Sequence, residues 1–189
     1  MTELAYAEPR YTCHDYFRLV SAGVVRPDDR IELLEGVIVA MSPQNPLHAS
    51  VTAQVSDALH EAIGIRAAIR VQSPLVTSGR SVPEPDIAVV SGRHADYVNA
   101  HPSTALLVVE VADTSLVQDR LTKAGIYAAA GIPEYWIVNV RDDRVEVLRT
   151  PDQAAAQYAE STIAARGERI DLISLRGVSV AVDDLLPTR

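Results

Sequence analysis

Apolar residues fill consecutive positions from Ala105 to Val109, and Val111 continues the run after one carboxylate, Glu110. An unbroken run of this kind marks a strand covered on both faces. Leu116 to Ala130 reads as a helix and Tyr135 to Val140 as a further strand. A helix between two such strands predicts a right-handed βαβ crossover. Upstream, Thr12 followed three residues later by Asp15 has the form of a capping box, opening a helix through His14 to Val20 with Phe17, Leu19 and Val20 as its buried contacts. Gly36, between Glu35 and Val37, predicts a hairpin turn or a bulge ahead of the strand Val37 to Met41. From Leu47 to Ile63 the apolar positions Val51, Val55, Ala58, Leu59, Ala62 and Ile63 keep a helical spacing, and Gly64 suits the end of that helix.

The remaining punctuation completes the element list. Residues 1–11 read as a loose terminus, Arg26-Pro27-Asp28-Asp29 as a turn, and Ser42 to Pro46 as a loop. A strand is expected over Ala67 to Leu75, a turn at 78–81, and a strand over Ile87 to Val90, opened by Pro83-Glu84-Pro85-Asp86. A long polar connection covers 91–103, and Asp113-Thr114-Ser115 forms a polar turn. Asp142-Asp143 turns the chain into a strand at Val145 to Arg149. Short strands near 157–163 and 168–181 and a closing turn at Val182 to Leu186 follow. No repeat or linker divides the sequence. The expectation is a single α/β domain over 1–189, with a core at about 12–150 and an irregular β-rich tail at 151–189.

Composition narrows the function classes. A lone cysteine, Cys13, excludes a disulfide framework and a multi-cysteine zinc site, and it reads as a buried small side chain. There is no glycine-rich phosphate loop. No apolar run approaches the length of a membrane span and no leader pattern opens the chain, so a cytoplasmic protein without a membrane partner is expected. The net charge of −8 argues against a general polyanion binder, although acidic metal ligands are themselves part of that count and a bound cation reverses their local sign.

The candidate chemistry rests on two carboxylates and one amine. Asp86 begins one strand and Glu110 nearly ends another. If the strands are neighbours, the two side chains meet at a sheet edge and offer oxygen ligands to Mg²⁺. Alternation places Glu110 on the face of Val108 and Leu106. The competing reading of Glu110 is a structural salt bridge with an arginine. Lys123 is the only lysine among seventeen basic side chains. A position that takes lysine in a chain otherwise furnished with arginine points to a need for a compact ammonium whose pKa responds to burial. Asp119, Lys123 and Tyr127 stand four residues apart and share one helix face. The competing reading of Lys123 is an exposed pair with Asp119.

The string Glu32-Leu33-Leu34-Glu35-Gly36 with Met41-Ser42-Pro43, then Pro85-Asp86, Val109-Glu110-Val111, Asp119-Arg120 with Lys123, and Tyr127 through Val138, resembles the Uma-two family. That family is a bacterial branch of the PD-(D/E)xK restriction-endonuclease-like superfamily. The resemblance covers about residues 12–150, and the run Tyr-Ala-Ala-Ala-Gly-Ile-Pro-Glu-Tyr-Trp is its most specific part. It implies a mixed central β-sheet flanked by helices. It implies Asp86 and Glu110 as ligands of Mg²⁺ or Mn²⁺, the Val111 carbonyl near the ion, and Glu32 completing the shell. The superfamily lysine would stand at position 112, which is Ala112; Lys123 on the following helix takes its place. His48, at the start of a helix, fits a family position for contacting phosphate or orienting a water.

The expected activity is metal-dependent hydrolysis of DNA phosphodiester bonds by a homodimer, with Asp86, Glu110, Lys123 and Glu32 as its working residues. Its rivals are a silent binding scaffold that keeps the fold and a metal-dependent hydrolase of another substrate. Glu35 is a candidate second acidic ligand but next to Gly36 reads rather as a turn residue, Tyr127 reads as core ahead of a group supporting the site, and Tyr135 and Trp136 are expected to pack under the sheet. Glu84 is left without an assignment.

Overall fold

The computed structural model describes residues 10–26, 28–41, 43–113 and 115–188. The expected loose terminus over residues 1–9, and Pro27, Ser42 and Thr114 in the expected turns and loop, lie outside the described residues. Helix α1 (Cys13–Ser21) starts at the capping box: Thr12 Oγ1 accepts the Asp15 N–H, and the Asp15 carboxylate accepts the Thr12 N–H. Its buried residue is Tyr16; Phe17 and Leu19 are half-buried and Val20 is exposed. Strands β1 (Ile31–Leu34) and β2 (Val37–Ala40) form a two-residue hairpin. Glu35 and Gly36 both adopt positive φ, 49° and 87°, the conformation that a tight turn between twisted strands requires. Gly36 has a second constraint: a Cβ there would stand 2.9 Å from Arg10 Cβ. Helix α2 (Pro46–Ile63) is capped by the Asn45 side chain, has proline in its first turn, and ends at Gly64 with φ 60°.

Six strands make the central sheet, in the order β3 (Ala68–Val71), β4 (Ile87–Val90), β5 (Leu107–Ala112), β6 (Glu134–Asn139), β7 (Arg144–Asp152) and β8 (Gln157–Ala165). Only β5 and β6 pair in parallel, as a βαβ crossover demands; every other neighbour is antiparallel. The sheet is therefore mixed, and the tail supplies its last strand. Strand β3 stops four residues short of Leu75, because Gln72 turns to φ 44° and Pro74 follows. A second small hairpin, β9 (Arg169–Asp171) with β10 (Ser179–Ala181), leads into α5 (Val182–Leu185).

Both faces of the sheet are covered. On one, α2 and the β9–β10 hairpin pack on Val109, Val111 and Trp136. On the other, the helix of residues 116–129 packs on Val108, Ala112 and Tyr135. Tyr135 and Trp136 thus lie on opposite faces, as adjacent residues of one strand must. Leu106, expected on the Glu110 face, precedes β5 and packs on the Trp136 side. The helix over 116–129 is not uniformly α-helical. It runs as α3 (Leu116–Gln118), a π-helical turn (Asp119–Lys123) and α4 (Ala124–Ala129), with the Ala124 N–H reaching back to the Asp119 carbonyl. Single π turns inside α-helices occur mostly at functional sites.

Candidate active site

Register brings the two strand carboxylates together. Ile87 pairs with Val109, so continuing one residue back along β4 places Asp86 opposite Glu110. The Asp86 N–H lies 3.4 Å from Glu110 Oε2, and Asp86 Oδ2 accepts the Val111 N–H at 2.9 Å. Val111 thus presents its amide proton to Asp86. The other Asp86 oxygen accepts from His48 Nε2 at 3.0 Å and from Gln72 Nε2 at 3.1 Å. The asparagine cap of α2 aims His48 at this carboxylate; the left-handed turn at Gln72 does the same from the end of β3.

Glu110 is buried in its strand and has two donors on Oε1: Lys123 Nζ at 3.0 Å and the Tyr127 hydroxyl at 2.7 Å. Lys123 Nζ also stands 3.7 Å from Glu32 Oε1. The hairpin β1–β2 thereby delivers Glu32 to the same ammonium, and Glu32 Oε2 accepts the Glu84 N–H. Asp119, one turn before Lys123, is 1% exposed and is held by the Ser115 hydroxyl at 2.6 Å. The π turn carries both Asp119 and Lys123 inward. Asp119 and Lys123 are not the exposed surface pair that helix spacing alone allows.

These side chains line one open cavity of about 490 Å³. Six carboxylates face it: Glu32, Glu84, Asp86, Glu110, Asp113 and Asp119. Lys123 and Arg30 are the cations on its wall among the described residues. The imbalance shows in the proton affinities. Burial, reinforced by Asp86, Asp119 and Glu32 against the opposing Lys123, pushes the Glu110 carboxyl up to about 8. Asp119 is pushed up to about 6, mainly by burial. Burial also raises Glu84. Burial disfavours the Lys123 ammonium, but Glu110, Glu32 and Asp119 outweigh it and hold the amine charged. Burial raises Asp86 too, yet the donors from His48, Val111 and Gln72 prevail and keep it ionised. The His48 ring, hydrogen-bonded to Asp86, is raised against its own burial.

A buried carboxylate elsewhere in the sheet gives the contrast. Glu134 is fully buried, and Arg149, Trp136 Nε1 and the Ile173 N–H saturate it with donors. Glu146 takes a two-pronged bond from Arg120. Those acids are structural. The cavity acids outnumber the cations on its wall, and an oxygen-rich, negatively charged pocket suits a hard divalent cation. No three of the described His, Cys, Asp and Glu side chains are arranged to hold an ion among themselves. The donor set therefore fits the Mg²⁺ manner of binding, through one or two carboxylates with water filling the remaining positions. Gln44 Nε2, also on the cavity wall, is buried without a partner among the described residues.

Sequence reasoning placed Asp86, Glu110, Glu32, Lys123 and His48, and all five converge here. Gln72 is not among the residues expected from the sequence; Tyr127 is core, as favoured, and its hydroxyl also bonds Glu110, the role weighed beside it. Glu35 sits in the hairpin turn, away from this cavity, with its N–H on the Ser81 hydroxyl.

The raised acids set a pH dependence. A carboxyl whose folded pKa exceeds its unfolded value binds a proton more tightly when folded. Its stabilisation is full below the unfolded pKa and is lost as pH rises through the folded one. For Glu110 that window runs from 4.5 to about 8. The melting temperature in chelator is expected to fall as pH is raised from 5 to 8, and added Mg²⁺ is expected to restore more at pH 8 than at pH 5. Differential scanning fluorimetry checks both; a flat profile in chelator would sink the buried-charge account.

A mixed sheet with flanking helices, and with paired acids and an amine at one sheet edge, defines a restriction-endonuclease-like fold. The chain belongs to the Uma2 family, described as "Putative restriction endonuclease", which matches residues 13–183. Its fold is similar to the crystal structure of a "putative nuclease belonging to DUF820" from Anabaena variabilis, with a TM-score of 0.73 at 16% identity over 93% of this chain and 97% of that one. No curated protein matches the chain. Among the described residues, no helix is long and apolar enough to cross a membrane.

Proposed function

We propose that the protein is an endonuclease that hydrolyses DNA phosphodiester bonds with Mg²⁺ or Mn²⁺ held by Asp86 and Glu110. The observation that carries this reading is the buried Lys123 ammonium, 3.0 Å from Glu110 Oε1 at the wall of a solvent-open acidic cavity. When bound, the ion supplies a water of lowered pKa and neutralises phosphate charge. The chain's own residues do the rest. Asp86 is kept ionised and oriented by His48, Gln72 and the Val111 N–H. Lys123 orients the attacking water and offsets the charge that develops on the phosphate. Glu32 holds the ammonium from its second side. Gln44 Nε2, a donor without an acceptor among the described residues, serves a phosphate oxygen in this reading. Two-fold assembly, the commonest form of oligomer, would bring two such sites together.

The second reading is a silent scaffold. It is favoured by the net charge of −8 and by Lys123 and His48 already serving as counter-charges to Glu110 and Asp86. Supercoiled plasmid incubated with the full chain separates the two. The nuclease gives nicked and linear DNA with Mg²⁺ or Mn²⁺ and none in chelator. Intact plasmid under every metal condition leaves the scaffold.

A further inference from the structure

Beside the acidic cavity lies a second one, of about 530 Å³, and the two share Leu121 and Thr122 in their walls. Their charges differ in sign. The second cavity carries two arginines, Arg10 and Arg80, with Glu35 as the carboxylate on its lining. Neither guanidinium has a carboxylate within ion-pair distance among the described residues, whereas Arg120, Arg144, Arg149 and Arg166 are spent on structural pairs. The β1–β2 turn holds the Arg10 side chain and the Arg80 backbone. Arg10 Nη1 donates to the Glu35 carbonyl at 3.1 Å, and the Arg80 carbonyl accepts the Gly36 N–H at 2.7 Å. Gly36 is what allows Arg10 to come so close.

The rest of the lining is equally pointed. The hydroxyls of Ser78 and Ser81 each accept a backbone N–H, from Arg80 and Glu35, which leaves their own protons to donate. The opposite wall is built from Gly125, Ala129 and Ala130, which keep the space open. Between the cavities stands Leu121, 71% exposed, and Val117, also 71% exposed, borders the acidic one. Large apolar side chains held in water at the mouth of a polar cavity offer apolar surface that the faces of unstacked bases can cover, and a duplex keeps those faces in its own stack.

We propose that the second cavity is a phosphate subsite for an extended single strand of nucleic acid. The strand crosses the Leu121–Thr122 ridge, a neighbouring phosphate lies between Arg10 and Arg80, and the reacting phosphate enters the acidic cavity. This assignment rests on the nuclease reading and adds a substrate class to it. In a chain of net charge −8, a local pair of guanidinia with no carboxylate partner among the described residues is what a polyanion can hold.

Fluorescence anisotropy with a labelled phosphorothioate oligothymidylate, in Mg²⁺ and at several salt concentrations, tests it. The double variant Arg10→Ala/Arg80→Ala is expected to bind about tenfold more weakly, with a log–log salt slope flatter by about 1.4, the value for two lost phosphate contacts on a single strand. Arg176→Ala, which removes the same kind of charge from the β9–β10 loop, is expected to bind as the parent does. The double lysine variant is expected to recover part of the slope. Unchanged affinity and slope in Arg10→Ala/Arg80→Ala, with the parent binding well, overturn the subsite and leave the nuclease reading intact. So does tighter binding of a duplex than of the single strand. A parent chain that neither binds the oligonucleotide nor nicks plasmid overturns both.

Discussion

Lys123→Ala is expected to cost the folded state roughly 3–5 kcal/mol, the scale for breaking a buried ion pair, and to lower plasmid cleavage by about 100–1,000-fold, the scale for losing a preorganised charge stabiliser. The stability loss follows from geometry. The ammonium is the nearest cation to Glu110 and Glu32, which are 3% and 1% exposed. Without it Glu110 keeps only the Tyr127 hydroxyl and the distant Asp86 N–H as donors, and where pH ionises it the charge is stranded. The two losses separate in Lys123→Ala/Glu110→Gln, which removes the stranded charge; stability is expected to return while cleavage stays lost. Urea titration and the plasmid assay read the two effects. Cleavage that survives Lys123→Ala removes the lysine from the chemistry, whatever happens to the fold.

The second large effect is on metal affinity. Asp86→Ala deletes the ionised carboxylate and is expected to abolish Mn²⁺ binding in titration calorimetry, with cleavage falling to background. It also orphans the Val111 N–H, at roughly 1–3 kcal/mol for a buried group left unpaired. Asp86→Asn keeps an acceptor oxygen for that N–H while removing the charge, so it isolates the electrostatic part. A full-strength Mn²⁺ isotherm in both variants would place the ion elsewhere.

The difference between what the sequence announces and what it hides has a physical basis. Asp86 and Glu110 are legible because a charge inside an apolar strand must be explained, and Lys123 because it is unique. The βαβ order legislates parallel β5 and β6, and with them most of the sheet. Gln72 was not legible: its role depends on one left-handed residue ending β3, a conformation glutamine rarely adopts. The burial of Asp119 is left open because helical spacing says which residues share a face but not whether that face is buried. The π turn left no mark in the apolar periodicity. The extent of β8 was blurred for a related reason. It is an edge strand, mostly exposed, so alternation fades along it, although its pairing with β7 is continuous from Arg144 to Arg149.

The placement of the amine on a helix has a mechanical consequence. In the superfamily pattern the acid and the lysine are two residues apart on one strand, and backbone stiffness fixes their spacing. Here Glu110 belongs to β5 and Lys123 to the π turn, so their 3.0 Å contact is a tolerance held only by how a helix seats on a sheet. Sliding that helix by about 1.5 Å, the rise of a single residue, is half of that distance. Tyr127 one turn further on, and Tyr135 bonded to the Asp119 carbonyl, act as the dowels that stop the slide.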